Sequence, residues 1–347
     1  MNISDDSIIE VFEPDLVYKV LIRCNTYNHA PYIEETLNGF SLQKTGFPFV
    51  CIVVDDNSLD GEQNVIKNWI STECDIDNAK IIEIPLSTII IVSHMHNSDC
   101  IYAFYLLKQN LYSNAAIKDS LLKPWRDRCQ YEAICEGDDY WTYDKKLSEQ
   151  VLFLESHKDY SAIASNSIVF YSDTKSKRLF SKCPSKTYYE LKEIVTSRKF
   201  HTASVLLRIN KLYGTPFINK GEWDTFKWCC LLTSGPIYYD DKVTCVYRKG
   251  QQGVTESSSR LEWAKRITVW SSILTDTFAP KYVKRKYIVR GITRDLIKLH
   301  LLSYKEFTAK ERKQIRTLYF KNFELSNIFY DLFEMFKDLI KVGLHIS

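Results

Sequence analysis

Two apolar runs that each break abruptly into polar residues constrain this chain more than any other feature. Val17-Tyr18-Lys19-Val20-Leu21-Ile22-Arg23-Cys24 gives way to Asn25-Thr26-Tyr27-Asn28-His29, and Phe49-Val50-Cys51-Ile52-Val53-Val54 to Asp55-Asp56-Asn57-Ser58. Short, nearly continuous apolar runs are what strands buried on both faces require. Between them, Pro31 fits the first turn of a helix reaching about Gln43, with Ile33, Leu37 and Phe40 on one face. Asp60 and Gly61 lead into a second helix whose inner side carries Val65, Ile66, Trp69 and Ile70. A third strand covers roughly Lys80 to Ile84, and a further β-rich piece Ser87 to Val92. This β-α-β-α-β rhythm predicts an α/β fold with a doubly wound sheet. In such sheets ligands bind beyond the carboxyl ends of the strands, where the strand order reverses.

The polar clusters sit at those ends. A third cluster, Glu136-Gly137-Asp138-Asp139-Tyr140-Trp141, follows the run Tyr131 to Cys135. Carboxylates are seldom fully buried unless paired or bound to a metal. Glu136 and Asp138 are two apart and point to the same side of an extended segment, the spacing for clasping a hard divalent cation. Taken alone, an exposed and inert acidic turn accounts for this stretch equally well. No GxGxxG follows the first strand and no GxxxxGK[ST] occurs, which disfavours dinucleotide and P-loop phosphate binding. Carboxylates in place of glycine-rich loops suggest that a metal carries the phosphate charge.

Together, Cys24 to His29, Val54 to Gly61 and Glu136 to Trp141 resemble the three N-terminal motifs of family 2 glycosyltransferases, in that family's order. The resemblance implies a GT-A (Rossmann-like nucleotide-diphospho-sugar transferase) domain that binds a nucleotide-sugar donor. It implies that Thr26 and Tyr27 flank the base and that Asp56 accepts from it, uracil being the commonest case. Asp138 and Asp139 would hold ribose and metal, Mg²⁺ or Mn²⁺. Glu136 stands where the family's DxD motif begins with Asp; it still offers oxygen ligands but reaches further. Asn28, Ser58 and Asn97 complete the expected donor site. Phe200 to Arg208 resembles the stretch between the donor and acceptor halves.

Gly221-Glu222-Trp223-Asp224-Thr225-Phe226 opens a helix through Leu232 that stops at Gly235. A carboxylate at a helix N-terminus commonly just caps it. The resemblance instead puts Asp224 in the position of the family's catalytic Asp, and it continues through Val246-Tyr247-Arg248-Lys249 and Gly253-Val254. Where the family often has His after the Tyr-Arg pair, this chain has Lys249, Gly250, Gln251 and Gln252, so a diphosphate contact falls to Arg248 or Lys249. The implied activity is an inverting, hexosyltransferase-like transfer to a glycan or lipid-linked glycan hydroxyl in surface-polysaccharide assembly. A metal-dependent sugar nucleotidyltransferase is the alternative enzyme, but it wants a Gly-rich basic loop, and Asn25 to Pro31 holds no Gly, Lys or Arg. A catalytically silent GT-A-fold binding protein is the third reading.

The expected organisation is a polar segment at 1–16, the GT-A domain at 17–258 and a helical region at 259–347. Asp144 to His157 reads as a helix with Leu147, Val151 and Leu154 inward, and Ser161 to Tyr171 as β-rich; segments 98–130 and 172–200 carry no clear pattern. Ser326 to Val342 places Phe329, Leu332, Phe333, Phe336, Leu339 and Ile340 on one face, with Asp331, Glu334, Lys337 and Asp338 opposite. Such a face ordinarily packs on its own protein, the alternatives being a membrane or a partner. A net charge of +3 argues against a nucleic-acid binder. Lys281 to Lys321, however, holds 13 Lys and Arg against 3 Asp and Glu. That basic block points to peripheral contact of 281–345 with an anionic membrane surface.

Ten Cys without a CxxC pair, and no N-terminal signal peptide, are expected of buried thiols in a cytoplasmic protein, at most peripheral at the inner membrane face. His94, His96 and Cys100 have no fourth ligand at zinc-site spacing. Ser204 near His201 lacks the elbow motif of a nucleophile.

Overall fold

The structure, a computed structural model, describes residues 17–112, 114–182, 186–221, 223–250, 259–302 and 307–344. The expectations for 1–16, Cys183, Glu222, Gln251, Gln252, Gly253 and Val254 lie outside the described residues. Two compact units are present. The first holds the described residues up to Tyr188 with Phe200–Gly214 and Ile237–Lys249; the second holds Tyr189–Lys199, Thr215–Pro236 and the described residues from Gly250 onward.

The first unit is a mixed sheet. The strands of the sheet and the longer helices beside them are, in chain order, β1 (Tyr18–Thr26), α1 (Ile33–Ser41), β2 (Phe49–Asp55), α2 (Glu62–Glu73), β3 (Lys80–Glu83), β4 (Ser87–His94), β5 (Asn97–Leu107), α3 (Ala115–Arg126), β6 (Cys129–Ile134), β7 (Tyr140–Trp141), α4 (Lys146–Ser156), β8 (Ala162–Tyr171), β9 (Ser176–Leu179), β10 (Tyr188–Tyr189, at the unit boundary), β11 (Leu206–Arg208) and β12 (Ile237–Lys249). The strand order is β10-β12-β8-β11-β6-β1-β2-β5-β4-β3, with β7 on β12 and β9 on β8. The central strands β6, β1, β2 and β5 are parallel.

Alternation along these strands builds two cores. Val20, Ile22, Cys24, Cys51 and Val53 face the side covered by α1, α2 and α4 through Leu37, Phe40, Trp69 and Leu147. Leu21, Val50, Ile52 and Val54 face the side covered by α3 through Leu121, Leu122 and Trp125. The period of two in a strand is the cause. A charged pair crosses the interior without breaking it: Arg23 Nε donates to Glu132 Oε1 at 2.9 Å, and Tyr213 donates to Glu132 Oε2 at 2.9 Å. Both Glu132 oxygens accept a hydrogen bond, which offsets the cost of burying its charge.

The strands and helices expected before residue 94 form where the pattern places them. Strand β5 is an addition. It lies within the segment that carries no pattern, and its hairpin with β4 turns through Met95 and His96, with His94 paired to Asn97. That turn has none of the Asn-Gly or Gly-X chemistry that marks a hairpin in sequence.

Lys146, at the start of α4, is buried, donates to Gln150 Oε1 at 2.8 Å and lies 4.3 Å from the centre of the Trp141 ring. Burial pushes its ammonium down to about 8 from the usual 10.5. Between those values the unfolded chain holds a proton that the folded chain has released, so raising the pH favours folding. Lys146→Met removes a desolvation cost of up to about 3 kcal/mol at pH 7. Urea unfolding of both proteins should therefore show the mutant's advantage shrinking as the pH rises from about 8 to 10.5. A difference that does not change with pH would mean that folding leaves the Lys146 ammonium unshifted.

The second unit is helical: α5 (Asp224–Leu232), α6 (Arg260–Phe278), α7 (Arg285–Leu302), α8 (Ala309–Asn322) and α9 (Ile328–Leu344). Ser259 caps α6 and Thr308 caps α8, each in a reciprocal box with the Glu three residues on, Glu262 and Glu311. Among the described side chains, the apolar face of α9 is not packed on the chain. Phe329, Leu332, Phe333 and Phe336 are exposed while Asp331 and Glu334 are buried, which reverses the ordinary expectation; the side chains of Lys337, Asp338, Leu339 and Ile340 lie outside the described residues. No helix among the described residues is long and apolar enough to cross a membrane.

Candidate active site

The chain leaves β1 to form β2 on one side and later returns to form β6 on the other, so the strand order reverses at β1. Pairing continues past the strand ends. Cys135 N–H donates to Arg23 O and Gly137 N–H to Asn25 O, both at 3.0 Å, and Asp56 N–H donates to Thr26 O at 3.0 Å. All three polar clusters therefore meet at the carboxyl edge of β1, β2 and β6.

Contact with β1 and α1 holds the acidic turn in shape. A Cβ at Gly137 would stand 2.0 Å from Thr26 Oγ1 and 2.5 Å from Thr26 Cβ. The Thr36 hydroxyl from α1 is shared between the carbonyls of Gly137 and Asp139, at 2.9 and 2.7 Å. Gly137→Ala should lower stability by about 1–3 kcal/mol through overpacking, read from the denaturant midpoint. An unchanged midpoint would show that the turn gives way freely.

Asp138 and Asp139 are neighbours with different surroundings. The Asp138 carboxylate is 31% exposed, and its Oδ2 lies 3.9 Å from His29 Nε2, while His29 Nδ1 is 3.2 Å from Thr26 Oγ1. Asp139 is buried. Its Oδ1 accepts from Arg248 N–H at 2.9 Å, and its Oδ2 is 3.5 Å from His201 Nε2. Burial, then the negative charge of Asp138 beside it, hold the Asp139 carboxyl well above the usual carboxylate range. The His201 ring stacks on Tyr247 at 4.0 Å.

Arg248 closes the turn from β12. Its Nη1 donates to Asp138 O at 2.7 Å, its Nη2 pairs with Glu35 of α1, and its guanidinium lies over the Tyr140 and Tyr32 rings at 4.4 and 4.9 Å. Lys249, next to it, is exposed.

A second network joins the loops after β1 and β2. Glu62 is its centre: it accepts from the Thr26 hydroxyl, from His29 N–H at 2.8 Å and from Ser58 Oγ at 2.8 Å. Asn28 N–H donates to Ser58 Oγ at 2.9 Å, and Asn28 Oδ1 accepts from Leu59 N–H at 2.8 Å. Asn28 and Asn57 adopt left-handed backbone, at φ 57° and 61°, which Asn tolerates better than most residues. Thr26, Asn28 and Ser58 thus tie one loop to the other, and Tyr27 is exposed beside them. Glu62 was not among the expected site residues; at the first helical position of α2 it reads in sequence only as a residue suited to a helix N-terminus.

Asp56 is buried, with Oδ1 accepting from Leu111 N–H at 2.6 Å and Oδ2 from Lys118 Nζ at 2.5 Å. Lys118 belongs to α3, in the segment where the pattern is silent. Asn97 needs correction. It begins β5, at the opposite end of the parallel sheet from Thr26 and Asp55, and its amide is spent on the carbonyls of Ser41 and Gln43 at 2.8 and 2.9 Å. The direction of β5 carries Asn97 away from the carboxyl edge.

Asp224, the first residue of α5, belongs to the second unit. Its side chain is 44% exposed, and its Oδ2 lies 3.8 Å from Arg198 Nη2. Trp223 before it stacks on Trp270 at 5.0 Å. Ser204 donates to the His201 backbone carbonyl at 2.7 Å, which leaves no Ser–His nucleophile arrangement there.

Among the described residues no three His, Cys, Asp or Glu side chains gather into a metal cage. The turn does offer oxygen donors of the kind a hard cation takes. Asp138 keeps an open carboxylate edge and Glu136 is half-buried beside it, whereas both Asp139 oxygens have partners. A cation bound to two carboxylates takes its other oxygens from phosphate and water.

No family model matches the chain. It is 26% identical over 233 residues to uncharacterized proteins of Mycobacterium tuberculosis and Mycobacterium bovis; the match covers 67% of this chain and 59% of those relatives' length. The fold is that of GT-A glycosyltransferases. S. aureus TarS (residues 1–349) with UDP-GlcNAc superposes with a TM-score of 0.56 at 15% identity, covering 86% of this chain and 79% of that one. The same protein with UDP gives 0.54 at 14% identity, covering 85% and 77%.

Proposed function

We propose that this chain is a metal-dependent family 2 glycosyltransferase. It moves a sugar from a nucleotide-sugar donor, UDP-linked, to a hydroxyl of a growing surface glycan, with inversion at the anomeric carbon. The observation that carries the reading is the acidic turn at the strand-order reversal, where Asp139 is locked from behind and Asp138 is left open. TarS, which shares the fold, holds UDP-GlcNAc and UDP in its crystal structures.

In this reading Asp138 and Glu136 hold Mg²⁺ or Mn²⁺. When bound, the ion neutralises the charge that develops on a leaving diphosphate. Asp139 and Arg248 keep the turn in one conformation, so Asp138 does not have to be ordered when donor arrives. Thr26, Asn28 and Ser58 hold the base-side loops through Glu62, and Tyr27 offers an exposed ring to the base. Asp56 reaches a base only by sharing its carboxylate with Lys118, which would place an ammonium donor beside a carbonyl of the base. Asp224 takes the proton of the acceptor hydroxyl as it attacks, and a single displacement inverts the sugar.

A thermal-shift panel of nucleoside diphosphates and sugar nucleotides, with and without Mn²⁺, tests the reading. A ligand at about a hundred times its dissociation constant stabilises the native state by about 2.7 kcal/mol. A shift for uridine nucleotides that requires the metal is expected. No shift with any nucleotide, on folded protein, would turn the reading toward a silent member of the fold.

A further inference from the structure

Helix α9 is amphipathic with its faces exchanged. Asp331 and Glu334 are 2% and 5% exposed. Asp331 accepts from the Thr293 hydroxyl of α7 and the Tyr319 hydroxyl of α8, each at 3.0 Å. Arg290 of α7 lies 4.6 Å over the Tyr330 ring. The polar side is therefore fastened inward by three named contacts. On the outer side Phe329 is 85% exposed, Leu332 54%, Phe333 63% and Phe336 65%. These positions share one stripe at helical spacing. Among the described side chains of α9, every exposed one is apolar.

Exposed apolar side chains also precede the helix in sequence. Leu325 just before it is 74% exposed, and Phe320 at the end of α8 is 68% exposed. On α8, Lys313, Arg316 and Phe320 are exposed at helical spacing, and Lys321 follows. Soluble proteins rarely leave so many large apolar side chains contiguous and uncovered. A partner protein ordinarily meets an apolar centre inside a mixed polar rim. Here the exposed charged residues of α8 and α9 with described side chains are Lys and Arg, beside the uncharged Thr317 and Ser326, and the stretch 281–321 carries 13 Lys and Arg against 3 acids. Aromatics and leucine on one side with cations beside them, on a helix that cannot cross a membrane, describe an element that lies in a bilayer interface.

We propose that α9, extended by Leu325 and Phe320, docks flat on an anionic lipid bilayer, its apolar stripe among the acyl chains and Lys313, Arg316 and Lys321 at the phosphate level. The inference does not depend on the donor site, because binding is measured without nucleotide. The full chain is sedimented with phosphatidylcholine vesicles, with and without phosphatidylglycerol. Partition is expected to rise strongly with the anionic lipid and to fall with salt. Phe329→Ser and Phe333→Ser should each lower it about tenfold or more. Lys313→Gln and Lys321→Gln should each lower it about fivefold. Phe329→Trp should show blue-shifted emission with anionic vesicles, which tests the docking even if a Ser variant fails to fold.

Vesicle binding that survives both Ser substitutions, or emission that does not move, would overturn the proposal by making the contact purely electrostatic. A concentration-dependent dimer lost in Phe329→Ser, with no vesicle binding by the parent, would overturn it in favour of self-association.

Discussion

Asp224→Asn is expected to lower sugar-transfer turnover by about 10²–10⁴-fold while leaving nucleotide-induced stabilisation intact. The amide keeps the size and position of the carboxylate at the start of α5 and removes only its ability to take a proton. Because the side chain is close to half exposed and lies 3.8 Å from Arg198, its removal should cost little folding stability. The informative result is the split between the two readouts. Turnover that falls with donor binding preserved assigns Asp224 to the chemical step. Turnover that stays at the parent level removes it from the mechanism, and a loss of both would point to a structural role.

Asp138→Asn should abolish the part of nucleotide stabilisation that depends on Mn²⁺, leaving at most the shift seen without metal. Its carboxylate is the open one, so neutralising it removes an oxygen charge from the cation without unmaking a buried contact. Asp139→Asn is the contrast. Its Oδ1 accepts from Arg248 N–H, a bond the Asn carbonyl can repeat, and burial already disfavours charge there. It should therefore retain metal-dependent binding far better than Asp138→Asn does. The opposite ranking, measured on the same thermal-shift plate, would exchange the two roles.

Much of the first unit was legible. Strands β1 and β2, helices α1, α2 and α4, and the three polar clusters stand where apolar periodicity and turn residues predict them, as does α5 of the second unit. The clusters meet at one edge because parallel strands align their carboxyl ends, a consequence of fold class. The misses share a cause. β5 turns out of β4 through Met95 and His96, which carry no turn signal, and its direction sends Asn97 to the far end of the sheet. Lys118 reaches Asp56 across 62 residues, and Arg248 reaches Asp139 across 109.

By itself the sequence determined whatever local periodicity can encode: the α/β class, the order of strands and polar clusters, and an acidic turn with carboxylates two apart. Only the tertiary structure decided which of two adjacent aspartates stays open, because that depends on Arg248 and His201 arriving from distant strands. It also decided which way α9 faces. A helix with one apolar and one polar side can be buried by either, and Thr293, Tyr319 and Arg290 hold the polar one inward. The hydrophobic pattern sets the faces of a helix, and the partners brought to it by the rest of the fold set which face meets solvent.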